Sequence, residues 1–465
     1  GGAFKVTGGQ DDGIAVGETF GVGAGSFTSH STSTIDTTGG NDIAGGDVEI
    51  SSAVRNPGGG NTSGNIVIQK DSTTAELVTI NNNSDGSITL SDGTQSLSGT
   101  ASQLVEAIAG TINFTGAVTI TGTYTLAQLK TINDKTSGAI TLNDTTVDLS
   151  GSSSDLAAAF AGTITTHTGN VGITNDDYTL AELVSINNAT SGTITLTHTD
   201  VAISGDSSDY SAALAGNINY TGNVTISNSD YTVTELKNIN NGTTGTITLQ
   251  TTNTALTGDA TDLKEALAGI TNYAGNVTIT DTSYTVAELK AINSTTTGSI
   301  TLQNTGVALS GNSTDIAAAF DGTVTTHTGT VAITNADHTL SELQTINNAT
   351  SGTITLTDYS VALNGTSAAI SEALAGTFAS TYTGTATLTT NHTLAELVAI
   401  NNGTSGNITL NSSALALSGS TSDIKAALAG NVGDTYSGNV TLSDANGTGI
   451  AAADINTIAG DTSGT

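Results

Sequence analysis

The stretch TLAELVSINNATSGTITL, Thr179–Leu196, holds one complete helix-to-strand unit. Thr179 and Glu182 stand three residues apart as a capping box, in which hydroxyl and carboxylate satisfy the orphan N–H groups of a helix start. Leu183 and Ile186 follow at helical spacing, and an Asn-rich turn with Gly192 ends the helix. Ile194-Thr195-Leu196 then alternates as a short strand with one buried face. The phrase returns as TLSELQTINNATSGTITL at Thr339–Leu356 and as TLAELVAINNGTSGNITL at Thr393–Leu410.

Further out, the Ile-Asn pair at Ile80, Ile132, Ile186, Ile239, Ile292, Ile346 and Ile400 steps by 52, 54, 53, 53, 54 and 54 residues. Gly110, Gly162, Gly216, Gly269, Gly322, Gly376 and Gly430 step by the same six numbers. Two markers holding one spacing over seven copies define a unit of about 53 residues stacked on itself. The fold class is therefore a repeat solenoid, β-rich with short helices. The array covers residues 65–465 as seven repeats plus the start of an eighth, and the sequence stops where the next strand is due. Residues 1–64 stand outside the repeat, are rich in Gly, Ser and Thr, and read as a cap, a linker or a strand-donating arm.

Each repeat contains two related halves, shown by one apolar pattern in Val171, Ile173, Tyr178 and Leu180 and again in Ile194, Leu196, Val201 and Ile203. The capping box opens the first helix in every copy, as in Thr179 with Glu182, Thr232 with Glu235 and Thr285 with Glu288, and Gln128 replaces Glu after Thr125. A second short helix is expected after Ser-rich turns ending in Asp155, Asp209, Asp262, Asp315 or Asp423, read as caps, and the Gly column closes it. Strands lie about 4.8 Å apart and helices about 10 Å. Helices on two sides of an elongated βα rod reconcile these spacings, at about 10 Å per repeat and roughly 70 Å in all.

Nine Lys and Arg against 41 Asp and Glu give a net charge of −32, which opposes binding to nucleic acid or an anionic membrane. Cys is absent, which excludes disulfides and thiolate metal sites. No signal peptide and no 18-residue apolar run is visible, so membrane insertion is not expected. Phosphate loops, zinc spacings and dinucleotide fingerprints are missing, and the recurring acids have capping roles, so no enzyme is expected.

Stacking turns equivalent positions into surfaces. Thr occupies the middle of twelve of fifteen recognised strands, among them Thr195, Thr225, Thr248, Thr278 and Thr301, a candidate binding ladder for ice or carbohydrate. Two ring columns accompany it: Phe114, His167, Tyr220, Tyr273, His327, Tyr382 and Tyr436, and Tyr124, Tyr178, Tyr231, Tyr284, His338 and His392. His replacing Tyr argues for an amphipathic ring and against a metal ligand. A sugar-binding aromatic strip is the functional alternative. Asn188, Asn241, Asn348 and Asn402 sit in Asn-X-Thr motifs, with Asn293 shifted by one, and are candidate glycan acceptors.

Asn41, Asp42 and Asp47, in Gly39-Gly40-Asn41-Asp42 and Gly45-Gly46-Asp47, resemble the calcium-binding nonapeptide of RTX secreted proteins, although their spacing departs from it. Calcium is the one cofactor this resemblance implies. The phrase Thr-Leu-Ala-Glu-Leu-x-x-Ile-Asn-Asn-x-Thr-Ser-Gly-x-Ile-Thr-Leu resembles repeats of very large secreted and cell-surface proteins of marine bacteria and cyanobacteria. The implied role is an extracellular, adhesin-like structural protein, self-associating into a filament, sheath, surface layer or stalk by head-to-tail β-strand addition. Its main partner is then itself, with surface carbohydrate second. A carbohydrate- or ice-binding solenoid and a viral fibre are the alternatives.

Overall fold

The structure is a computed structural model that describes residues 66–68, 71–82, 87–433, 435–445 and 449–465. The N-terminal segment, with the candidate calcium residues Asn41, Asp42 and Asp47, lies outside the described residues. The chain forms a β-rich repeat solenoid of short helices and parallel strands. It divides into two compact units, one running to Val224 with Asn241–Gly245, the other comprising Thr225–Asn240 and Thr246–Thr465.

One repeat of the first unit shows the pattern. Strand Leu149–Gly151 leads into helix Ser153–Ala159, strand Val171–Ile173, helix Leu180–Ala189 and strand Ile194–Leu196. The three strands pair in parallel, Leu149 with Val171 and Val171 with Ile194, and Ile218 adds a single bridge beyond Ile194. The second unit repeats this register, with Leu309 beside Val331 and Val331 beside Ile354. One helix lies between each pair of neighbouring strands, so every coil carries one helix. Val171, Ile173, Ile194 and Leu196 of the strands and Leu156, Leu183 and Ile186 of the helices are all buried, each fully buried side chain contributing about 1.5–3 kcal/mol.

The expected helices on two sides are not found. In the first unit, each helix from Thr74–Asn82 to Ser207–Ala213 packs against the next in sequence. In the second unit the same holds from Ala260–Leu267 to Ala452–Asp461. Within each unit the two helix sets therefore form one row, and each coil is a wedge, narrow at strands about 4.8 Å apart and wide at helices about 10 Å apart.

The sequence reading also missed a strand. Leu97–Gly99, Leu149–Gly151, Ile203–Gly205, Leu256–Gly258, Leu309–Gly311, Leu363–Gly365 and Leu417–Gly419 open successive sheets. A final Gly cuts their alternation short. Strand partners such as Leu97 and Val118 are 21 residues apart, and Ile140 and Ile164 are 24 apart. A half-repeat is longer, 26 or 27 residues from the 53-residue step. A strand column consequently drifts along the coil and is replaced after three or four strands.

Successive coils approach with no side chain between them. A Cβ placed on Gly192 would lie 1.9 Å from the Gly169 carbonyl oxygen, and one on Gly352 would lie 1.8 Å from that of Gly329. Gly460 has open space around it. Gly352→Ala is expected to destabilise by about 3 kcal/mol or more through backbone displacement. Gly460→Ala, inside helix Ala452–Asp461, is expected to be neutral or to stabilise by up to about 1 kcal/mol. Urea midpoints of the two variants check the opposite signs.

Candidate functional site

The capping residues do what their spacing implies. Thr179 N–H donates to Glu182 Oε2 at 2.8 Å and Glu182 N–H to Thr179 Oγ1 at 3.3 Å. Thr232 N–H donates to Glu235 Oε2 at 2.9 Å, and Glu235 N–H donates back to Thr232 Oγ1 at 3.2 Å. Thr285 and Glu288 form the same two bonds.

The structure corrects the sequence reading in one respect, since that reading gave Glu182, Glu235 and Glu288 no role beyond capping their own helix. Glu235 lies half-buried in the first turn of helix Val233–Gly242, as Glu182 and Glu288 do in theirs, so none of the three is a freely solvated cap. Glu182 also holds the neighbouring helix, because the Ser153 hydroxyl donates to it at 2.9 Å, and Thr261 donates to Glu288 at 2.8 Å. Ser313 and Ser367 tie Glu342 and Glu396 in the same way, each at 2.9 Å. These hydrogen bonds outweigh the opposing effect of partial burial on Glu288, Glu342 and Glu396 and hold their carboxyls below the usual range.

The second helix starts differently from the expectation. Its N-cap is the residue three before the Asp, with Ser152 accepting from Asp155 N–H, Asn312 from Asp315 N–H and Ser420 from Asp423 N–H. Several Asp side chains instead meet a lysine of the preceding helix: Lys130 lies 3.6 Å from Asp155, and Lys237 and Lys290 pair with Asp262 and Asp315. The Lys290 ammonium is the main cause of the lowered Asp315 pKa. In the turns, Asn175, Asn335 and Asp281 accept from the first N–H of the preceding helix. Asp and Asn thus serve there as helix acceptors. Among the described residues no group of three or more His, Cys, Asp or Glu is placed to hold a metal ion.

Both ring columns are interior, which removes the sugar-binding strip from the surface. Tyr178, Tyr273, Tyr284, Tyr382, His167 and His327 are buried. In the first column the polar tip of the ring reaches a backbone carbonyl about 20 residues earlier. Tyr220 donates to Val201 at 2.7 Å and Tyr382 to Val361 at 2.6 Å, while His167 Nε2 lies 2.7 Å from the Val147 oxygen and His327 Nε2 2.8 Å from that of Val307. An imidazole N–H therefore replaces a phenol O–H. Burial raises the Tyr178 phenol to about 12 and lowers the pKa of His167 and His327.

The Thr ladder is divided sheet by sheet. Thr257, Thr278 and Thr301 lie side by side in one sheet, and Gly172 lies beside Thr195 in another. Thr195, Thr248 and Thr301 are exposed, whereas Thr225 and Thr278, on central strands, are half-buried.

The Asn-X-Thr motifs split into two roles. Asn188, Asn241, Asn348 and Asn402 are exposed at helix ends. Their Thr partners are buried coil clamps, with Thr190 Oγ1 donating to the His167 carbonyl at 3.1 Å and accepting from Gly192 N–H at 3.0 Å. The Asn one position earlier joins adjacent helices: Asn187 Nδ2 donates to Ala212, Asn347 to Glu372 and Asn401 to Ala426, at 2.6 to 2.7 Å. Asn293 belongs to this internal set, donating to Ala318 and Asp321. Its shifted motif therefore uses an amide that the fold already holds. Repetition in every copy was the available signal for the bridging Asn, but sequence could not say which of two adjacent Asn faces inward.

No known family model matches the chain, and no curated protein is similar to it.

Asn347→Ala is expected to lose about 1 kcal/mol of stability with its interhelical bond, and Asn348→Ala close to none; thermal or urea unfolding of the pair checks this. The buried histidines make stability fall with acid. With a folded pKa below the unfolded value of about 6.5, the unfolded chain takes up protons first, so stability is full above that pH and is lost as pH falls toward the folded pKa. His327→Tyr, which places here the ring that Tyr382 supplies elsewhere, is expected to flatten the urea midpoint between pH 7.5 and 5.5. The change for one ring is at most about 1.4 kcal/mol per pH unit.

Proposed function

We propose that this is an extracellular structural protein, a self-associating subunit of a filament, sheath, surface layer or adhesin stalk that joins head to tail by β-strand addition. The observation that carries the reading is the uniform parallel register between coils within each unit. A coil edge with that register is complementary to another coil of the same kind, so a second copy can supply the next strand. The rings, Thr hydroxyls and carboxylates that suggest chemistry in sequence are engaged in holding coils together. No helix among the described residues is long and apolar enough to cross a membrane. The resemblance to large secreted repeat proteins agrees with this role and implies calcium at Asn41, Asp42 and Asp47.

A second reading, recognition of carbohydrate or ice, rests on the exposed Thr248 and Thr301, which keep equivalent places in successive sheets.

Negative-stain electron microscopy of the full chain and of a variant lacking residues 1–64, in calcium and in chelator, tests the main reading. Regular filaments from the full chain that disappear with the deletion are expected. Isolated particles under every condition would overturn self-assembly.

A further inference from the structure

The second ring column changes chemistry along the chain. Tyr178, Tyr231 and Tyr284 donate their hydroxyls to the carbonyls of His198, Thr251 and Asn304, each 20 residues onward, at 2.6, 2.7 and 3.0 Å. At the equivalent positions of the two following repeats stand His338 and His392. An imidazole is shorter than a phenol and takes another partner: His338 Nε2 lies 3.0 Å from Tyr382 Oη, and His392 Nε2 3.2 Å from Tyr436 Oη. The two pairs share one geometry, edge to face with centroids 5.9 Å apart and planes at 68° and 66°.

The proton positions follow from the partners. Tyr382 donates its hydroxyl to the Val361 carbonyl at 2.6 Å and Tyr436 donates to Leu415 at 2.8 Å. Each tyrosine oxygen therefore accepts from its histidine, which places the neutral ring's proton on Nε2. Nδ1 is left as a buried acceptor, and in both rings it has no hydrogen-bond partner. A second proton must go onto Nδ1, where no acceptor waits, and a buried charged N–H without a partner is costly. His327 differs, because its Nδ1 lies 3.4 Å from Thr350 Oγ1, which has a lone pair to offer.

We propose that the His338–Tyr382 and His392–Tyr436 pairs are an acid-responsive weak point: protonation at Nδ1 opens the coils holding these rings while coils filled by tyrosine at the same position stay closed. The charged groups around the rings favour that outcome. Asp358, Glu342 and Asp337 act on His338, and Glu396 acts on His392, each stabilising the protonated ring. Burial outweighs them in the closed coil and holds both rings below the ordinary histidine pKa. A ring that leaves the core loses the burial effect and can keep its carboxylate neighbours, so the open form binds the proton more tightly.

Hydrogen exchange of the full chain at pH 7.5 and 5.5, corrected for intrinsic rates, tests the proposal. Helices Leu340–Ala349 and Leu394–Gly403, each preceded by His, are compared with Val233–Gly242 and Val286–Asn293, each preceded by Tyr and with Tyr220 and Tyr273 in place of His in the first ring column. The expected result is a tenfold or greater loss of protection at pH 5.5 in the first two only, abolished in H338Y/H392Y. Equal loss in all four helices, or the same loss in the double variant, would overturn it. Ring titration of the unaltered protein by NMR gives a measurement independent of the variant's folding. His338 and His392 protonating together with exposed His198, with all four helices still protected, would also overturn the proposal.

Discussion

The interaction on which the rest depends is backbone-to-backbone contact between successive coils. Parallel strands bring neighbouring coils to about 4.8 Å, and at Gly169 and Gly192 they come so close that a methyl group cannot fit. Helices of the same coils need about twice that spacing. Wedge-shaped coils reconcile the two, with successive helices packed side by side within each unit. The short sheets have a related origin, since strand partners separated by fewer residues than a half-repeat cannot stay in one column.

That contact also explains why two sequence markers keep identical steps. The Asn at the end of the first helix reaches the end of the second helix of the next coil, where the Gly column lies. Asn187 donates to Ala212, and its Oδ1 lies 3.7 Å from where a Cβ of Gly216 would be; Asn240 stands in the same relation to Gly269 at 3.1 Å. Gly216 and Gly269 also have φ of 89° and 75°, a region unfavourable for other residues. Asn and Gly belong to one junction, so an insertion between them would have to be accommodated at every copy.

Residues that look chemical in the sequence have structural partners here. The histidines of the first column replace tyrosine because Nε2–H and Oη–H both reach the same class of carbonyl. Capping glutamates such as Glu182, Glu342 and Glu396 tie two helices rather than one, through Ser153, Ser313 and Ser367. Threonines of the Asn-X-Thr motifs clamp one coil to the next. The surface left for recognition is accordingly made of Thr, Ser, Asn and carboxylates, with Ile455 the one large apolar side chain exposed among the described residues.

Sequence by itself determined the repeat, its length, the start of the first helix in each repeat and the buried positions of the strands it recognised, because each depends on contacts within about ten residues or on periodicity. The capping pairs of Thr179 with Glu182 and of Thr232 with Glu235 are readable for that reason, and so is Ile194-Thr195-Leu196. Tertiary structure decided the features set by partners some 20 to 30 residues away. These are the packing of successive helices within each unit, the additional strand Leu149–Gly151, the burial of both ring columns, the second bond of Glu182 to Ser153 and the choice between Asn187 and Asn188 as the inward residue. Local pattern fixes which face of a helix or strand is apolar, but what that face meets depends on how the next coil is placed. That placement is a property of stacked backbones, which no single repeat contains.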